Sequence, residues 1–101
     1  MRCVQVYLAF VEELAAQQGF PAAKAPSFFL VMGPILGSHN APTYRTVMHA
    51  IIAEANAKGI PTYGVDMLGI PVDRCHHPSY DSHMLMYERA RPSFASALGW
   101  Q

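Results

Sequence analysis

The residues of this sequence best suited to chemistry lie together, between Val72 and His83. This segment holds three of the five histidines and two of the seven acidic residues, in a chain of which only 14% of the residues are charged. An imidazole can accept a proton from a nucleophile when an acid holds its other ring nitrogen. The segment therefore predicts general base chemistry.

Asp73 is the acid best placed to orient such a base. It lies three residues before His76 and four residues before His77, and both spacings are compatible with support of an imidazole. The residues leave both histidines open as the base. His83 is expected on the following helix, where it caps or braces the helix rather than reacting.

The apolar pattern around this segment predicts alternating helices and strands. We expect helices at about 3–18, at about 40–58 and from residue 83 onward, and strands at 27–32 and 60–66. Pro92 falls inside the third helical pattern and should kink or divide that helix. Each strand is a short apolar run, as in parallel sheets covered on both faces. The sequence thus predicts one α/β domain.

Two long loops, 33–42 and 67–79, follow the predicted strands. Ligand sites of open α/β sheets lie at the carboxyl ends of parallel strands. A right-handed βαβ unit would therefore place both loops, and the histidines of the second one, at the edge of the sheet where chemistry is expected.

The order of landmarks along the chain resembles the C-terminal part of the SGNH (GDSL-type) hydrolase superfamily, in its carbohydrate esterase and acyl-esterase branch. The landmarks are a Gly-Pro loop after the first strand, Cys75, His77-Pro78-Ser79, His83 and a closing Leu98-Gly99-Trp100. The resemblance spans about residues 4–100. It implies that residues 1–101 are the C-terminal half of a three-layer α/β/α, flavodoxin-like fold with parallel strands.

The resemblance also implies roles for individual residues. The histidine before proline is the base in that superfamily, which favours His77 over His76, with Asp73 as the less firmly placed supporting acid. The loop after the first strand lines the substrate cleft, so Ser38, His39 and Asn40 are candidate substrate-binding residues. The substrate implied for the intact enzyme is a small-molecule or carbohydrate ester, and no cofactor or metal is implied.

The nucleophile of that family stands in a Gly-Asp-Ser block, which is missing from this sequence. Among the six serines only Ser38 follows a glycine, and no aspartate lies between them. A serine esterase depends on its nucleophile and oxyanion hole for most of its rate enhancement. We therefore expect a truncated or degenerate esterase sequence that lacks hydrolytic activity alone.

The composition of the chain also bears on which classes of partner it is expected to bind. The formal net charge is zero, so no basic excess predicts binding to nucleic acid or to an anionic membrane surface. The short apolar run near the N-terminus predicts neither a signal peptide nor a membrane span. Localisation, oligomeric state and the redox state of Cys3 and Cys75 stay open.

Two other functions fit the same residues. The first is a non-catalytic half-domain that binds a partner or forms an oligomer by pairing an exposed sheet edge. The second is a small metal-binding protein, because thiolate and imidazole groups suit zinc, although no standard ligand spacing is present. The residues that could serve it are Cys75, His76, His77, Asp81 and His83.

Overall fold

The computed structural model describes residues 2–17, 26–34, 40–73 and 75–100. Within these ranges three helices alternate with two strands, which confirms the predicted α/β class and places each of these elements within about two or three residues of its predicted bounds. The elements are α1 (Arg2–Gln17), β1 (Phe28–Met32), α2 (Ala41–Ala57), β2 (Thr62–Asp66) and α3 (Tyr80–Leu98).

The two strands pair in parallel, as the apolar runs predict. Phe28 is opposite Thr62 and Met32 is opposite Asp66, so both strands end at the same edge of the sheet. Successive side chains of a strand point to opposite faces. Leu30 accordingly belongs to the core on one face, and Phe29 to the core on the other.

Helices α1 and α2 cover the first face. Val4 of α1 packs with Leu30, Met48 and Ile51 in a buried apolar cluster. Gly64 of β2 lies under α2, where a Cβ atom would stand 2.8 Å from Ile52 Cδ1. The absence of a side chain at this position therefore allows α2 to approach the sheet closely.

The C-terminal end of α2 is joined to the start of β2 by one side chain. The Asn56 amide nitrogen donates to the carbonyl groups of Ile52 and Thr62, both at 2.9 Å, and its oxygen accepts the Thr62 N–H at 3.1 Å. Lys58 forms an ion pair with Glu12 of α1. These contacts fix α2 against both α1 and the sheet.

Helix α3 covers the opposite face of the sheet. Phe94 stacks on Phe29 with 4.0 Å between ring centroids, and the same core contains Val65, Met67 and Ile70. The helix ends at Gly99, which adopts a left-handed conformation with φ of 69°. It runs through Pro92 without division, so of the two predicted effects of this proline the division of the helix is wrong.

Candidate functional site

Residues 67–79 form the loop that joins the carboxyl end of β2 to α3, which is the position predicted for the site. Met67, Leu68 and Ile70 at the start of this loop are buried, whereas Cys75, His76 and His77 are exposed. The loop is thus anchored in the core at its beginning and presents its histidines to solvent further on.

Asp73 organises the exposed part of this loop. Its carboxylate Oδ1 accepts the backbone N–H groups of Cys75 at 2.9 Å and of His77 at 3.2 Å. The Asp73 N–H donates to the His77 carbonyl at 2.8 Å, and the Asp73 carbonyl accepts the His76 N–H at 3.0 Å. Four hydrogen bonds therefore close residues 73–77 into a tight turn, the usual role of an aspartate that bonds its own backbone.

The two histidines differ in how firmly their backbones are held. Both the N–H and the carbonyl of His77 are bonded to Asp73, whereas only the N–H of His76 is bonded there. His76 has a φ of 61°, a left-handed conformation that is uncommon for a residue with a side chain. In the described residues neither imidazole forms a hydrogen bond with Asp73, so the support of a base by this carboxylate stays a prediction.

Two serines at the start of α3 form hydrogen bonds that join this helix to the loop. Ser79 caps the helix, and its hydroxyl oxygen accepts the Ser82 N–H at 3.2 Å. The Ser82 hydroxyl donates to the Pro71 carbonyl at 2.6 Å and lies 3.3 Å from the Ser79 hydroxyl. Ser82 is only 3% exposed, so this is a buried and fully bonded polar contact between the loop and the helix.

The sequence patterns did not predict the charged cluster of Arg45, Asp66 and Arg89 at the carboxyl end of β2. Arg45 of α2 donates to the Asp66 carboxylate at 2.5 Å, and this bond lowers the pKa of Asp66 below its ordinary value, against the opposing effect of desolvation. The same bond raises the pKa of Arg45. Arg89 of α3 donates to the carbonyl groups of Asp66 and Leu68. An acid that closes an apolar strand is the signal that could have revealed the cluster.

The remaining predicted residues divide into two groups. Ser38 and His39 lie outside the described residues. Asn40 is exposed at the start of α2 and forms no capping bond with its side chain. His83 is exposed in the first turn of α3, where its N–H donates to the Ser79 carbonyl.

No metal centre is apparent in the part of the chain that the structure describes. Its histidine, cysteine and acidic side chains form no group of three that could hold an ion. The donor set around Cys75 and His77 is exposed to solvent, and the carboxylate of Asp73 already bonds backbone N–H groups. None of the described helices is both long and apolar enough to cross a membrane.

An apolar groove of about 370 Å³ lies beside β1, between α1 and α2. Tyr7, Val31, Tyr44 and Val47 are among its lining residues, and Val31 is 51% exposed in the middle of its strand. The groove is separate from the loop at residues 67–79, the histidine loop, because none of the described residues of that loop lines the groove.

The loop can supply an exposed imidazole at a backbone position fixed by hydrogen bonds. Imidazole is the side chain that enzymes use most often to accept and return a proton. Searches of protein-family models, of curated proteins and of solved structures find no match to this chain. The functional assignment therefore rests on the residues and the geometry described above.

Proposed function

We propose that this chain provides the histidine-bearing half of an SGNH-type serine esterase that hydrolyses an acyl or carbohydrate ester. His77 is the general base in this proposal. The observation that carries it is the attachment of both backbone polar groups of His77 to Asp73, in a loop at the carboxyl ends of parallel strands. A base must be held in a defined place, since small displacements of a catalytic group cost large factors in rate.

The fold supports this proposal in its coarser features. Helices α2 and α3 lie on opposite faces of the parallel strands, as in a three-layer α/β/α domain. The flavodoxin-like arrangement of the SGNH superfamily would continue this sheet beyond the two strands. The landmarks Cys75, His77-Pro78-Ser79 and Leu98-Gly99-Trp100 stand in the order typical of that family.

The proposed reaction divides its groups between this chain and another segment. His77 takes the proton of a serine hydroxyl as that oxygen attacks the ester carbonyl, and returns it to the departing alcohol, which leaves the acyl group on the serine. His77 then takes a proton from the water that attacks this acyl-serine ester, and returns it to the serine oxygen as the acid departs. Asp73 shapes the turn that carries the base. The serine and the oxyanion donors must come from sequence outside these 101 residues, because no Gly-Asp-Ser block is present.

Fluorophosphonate labelling tests this function directly, because the probe reacts only with an activated serine. Native protein that contains this chain should carry a labelled serine and hydrolyse p-nitrophenyl acetate. His77→Ala should abolish both activities, whereas His49→Ala, a change of an exposed histidine on α2, should preserve them. Unlabelled native protein, or near-full labelling of the His77→Ala variant, would contradict the proposal.

His76→Ala is the second control, since it tests the other spacing from Asp73. Selective loss of activity in this variant would move the base to His76. We expect a smaller loss than for His77→Ala, because only one backbone group of His76 is fixed.

A second candidate function is a non-catalytic half-domain that pairs through β1. The observation that favours it is the groove beside β1, together with the 51% exposure of Val31. Unpaired strand edges promote association with other strands. Sedimentation equilibrium should then show an oligomer that Val31→Lys dissociates and that Leu85→Lys, on exposed α3 surface, does not. A cooperatively folded monomer would contradict this candidate.

A further inference from the structure

The hydroxyl of Ser82 contacts the chain on both sides of the turn between Asp73 and His77, the histidine turn. It donates to the Pro71 carbonyl at 2.6 Å, and Pro71 lies two residues before Asp73. It also lies 3.3 Å from the hydroxyl of Ser79, which is two residues after His77. One side chain thus joins the segment that enters the turn to the segment that leaves it.

The contact of Ser82 with the loop is buried, and its polar atoms are hydrogen-bonded. Ser82 is 3% exposed, and in the described part of the chain no buried side-chain polar atom is left without a partner. An apolar residue at this position would leave the Pro71 carbonyl without its donor. The N-cap of α3 is formed by the hydroxyl of Ser79, so the hydroxyl of Ser82 is not needed to cap the helix.

Ser82 lies on the face of α3 that packs against the sheet, and this packing fixes the position of its contact. Met86, Ala90 and Phe94 follow Ser82 at intervals of four residues and belong to the core between α3 and the strands. Phe94 stacks on Phe29 of β1. The position of Ser82 is therefore set by the same helix packing that holds α3 on the sheet.

We propose that Ser82 is a positioning residue for the base, which it holds at the carboxyl edge of the sheet by joining Pro71 to Ser79 across the histidine turn. The inference rests on the proposed function only in that His77 is the base being positioned. The constraint runs from Ser82 to Pro71, then along the chain to Asp73, and from Asp73 to both backbone groups of His77. Ser82 acts through this turn and does not itself contact the reacting atoms.

Nitrogen-15 relaxation of the 101-residue chain tests this role, because it measures the motion of the turn separately from that of the core. We expect backbone order parameters of residues 75–77 near those of α2 in the unaltered chain, about 0.85 for rigid backbone, falling below about 0.6 in Ser82→Ala. The order parameters of α2 should be unchanged. Ser96→Ala, the same chemical change at an exposed site of α3, should alter neither region.

Ser79→Ala supplies a second route if Ser82→Ala does not fold, because Ser79 is exposed and its substitution disturbs no core. It should also lower the order parameters of residues 75–77. Ser82→Thr, which restores the hydroxyl, should return them to the original values. An ordered turn in a folded Ser82→Ala variant, an ordered turn in Ser79→Ala where Ser82→Ala does not fold, or a mobile turn in the unaltered chain would overturn the proposal.

The relaxation result is independent of hydrolysis. Loss of order in Ser82→Ala combined with full labelling of His77→Ala would support the positioning of the loop while rejecting His77 as the base. An ordered turn in the alanine variants combined with loss of labelling in His77→Ala would keep the esterase proposal and reject the role of Ser82. The two failures are therefore distinguishable.

Discussion

Asp73 and His77 are joined by a reciprocal pair of hydrogen bonds that involves no imidazole. The His77 N–H donates to the Asp73 carboxylate at 3.2 Å, and the Asp73 N–H donates to the His77 carbonyl at 2.8 Å. The sequence predicts that the Asp73 carboxylate supports the imidazole of a base. In the structure this carboxylate shapes the backbone that carries His77. These two roles make different demands on the carboxylate, since only the first needs its charge.

Substitutions of Asp73 separate the two roles. Asp73→Asn keeps an oxygen that accepts the N–H groups of Cys75 and His77, so we expect the turn to persist, whereas Asp73→Ala removes the acceptor. Hydrogen exchange at the His77 amide should be about tenfold faster in Asp73→Ala than in Asp73→Asn, consistent with the loss of about 1.4 kcal/mol per tenfold change. Equal exchange in the two variants would show that the carboxylate does not hold the turn.

Ester hydrolysis by the same two variants, in native protein that contains a nucleophile, tests whether the negative charge of the Asp73 carboxylate is needed for activity. A loss on the order of 10⁴-fold in Asp73→Asn with an intact turn would mean that the carboxylate orients the imidazole. Near-full activity in this variant would restrict Asp73 to shaping the backbone.

The ion pair between Arg45 and Asp66 predicts a specific acid sensitivity. The hydrogen bond from Arg45 lowers the pKa of Asp66 in the folded chain, so the unfolded chain binds more protons as the pH falls below about 4. The contribution of the pair to the free energy of unfolding is therefore complete above this pH and is lost as the pH falls through the lowered pKa. Urea unfolding between pH 7 and pH 2 should show this loss.

Asp66→Asn provides the comparison for this pH dependence. It should lose less stability between pH 7 and pH 2 than the unaltered chain, because residue 66 no longer titrates. Parallel pH profiles for Asp66→Asn and the unaltered chain would contradict the lowered pKa.

Close packing at Gly64 predicts a coupled effect on stability. An added Cβ would lie 2.8 Å from Ile52 Cδ1 and 3.0 Å from Met48 Cε, so these flexible side-chain ends must move. Gly64→Ala should lower the free energy of unfolding by about 1 kcal/mol, at the low end of the usual cost of overpacking, because the contacted atoms are the ends of flexible side chains. Gly33→Ala is a suitable control, because nothing lies within 4 Å of the added atom there.

Ile52→Val tests the cause of this cost, since it removes the nearest contacting methyl group. The double variant with Gly64→Ala should be more stable than the sum of the two single effects predicts, with a coupling of about 0.5 kcal/mol or more. Strictly additive effects in thermal or urea unfolding would place the cost elsewhere.

The sequence predicted the elements well because their apolar patterns agree with their tertiary environment. Phe28–Met32 is a short apolar run, and it forms a parallel strand with Leu30 in the core on one face and Phe29 in the core on the other, although Val31 is 51% exposed. The continuity of α3 through Pro92 was less predictable, since the packing of Phe94 on Phe29 holds the helix beyond the proline. The continuity of the helix is thus accompanied by a tertiary contact, while the kink expected at Pro92 stays a prediction.

The position of the histidine loop was predicted from the sequence, but its hydrogen bonds were not. The loop after β2 carries the histidines at the expected edge, yet the partners of Asp73 are backbone N–H groups, which no spacing of residue types reveals. The contact of Ser82 with Pro71 was equally hidden, because it depends on how α3 docks on the sheet. Sequence patterns indicate which side chains are present, whereas their partners are set by packing.

The parallel pairing of β1 with β2 also has a consequence for the order of folding. Phe28 can meet Thr62 only after the whole of α2 has been placed between them, so no strand bond can form from local contacts. Closing the loop between the two strands costs entropy before such distant pairs can form, so this pairing is slow, whereas a helix forms from local contacts in about 0.1–1 μs. We expect α2 to be largely formed in the transition state for folding. Ala53→Gly, on the exposed side of α2, should therefore slow folding more than it speeds unfolding, and the opposite result in stopped-flow kinetics would place strand pairing first.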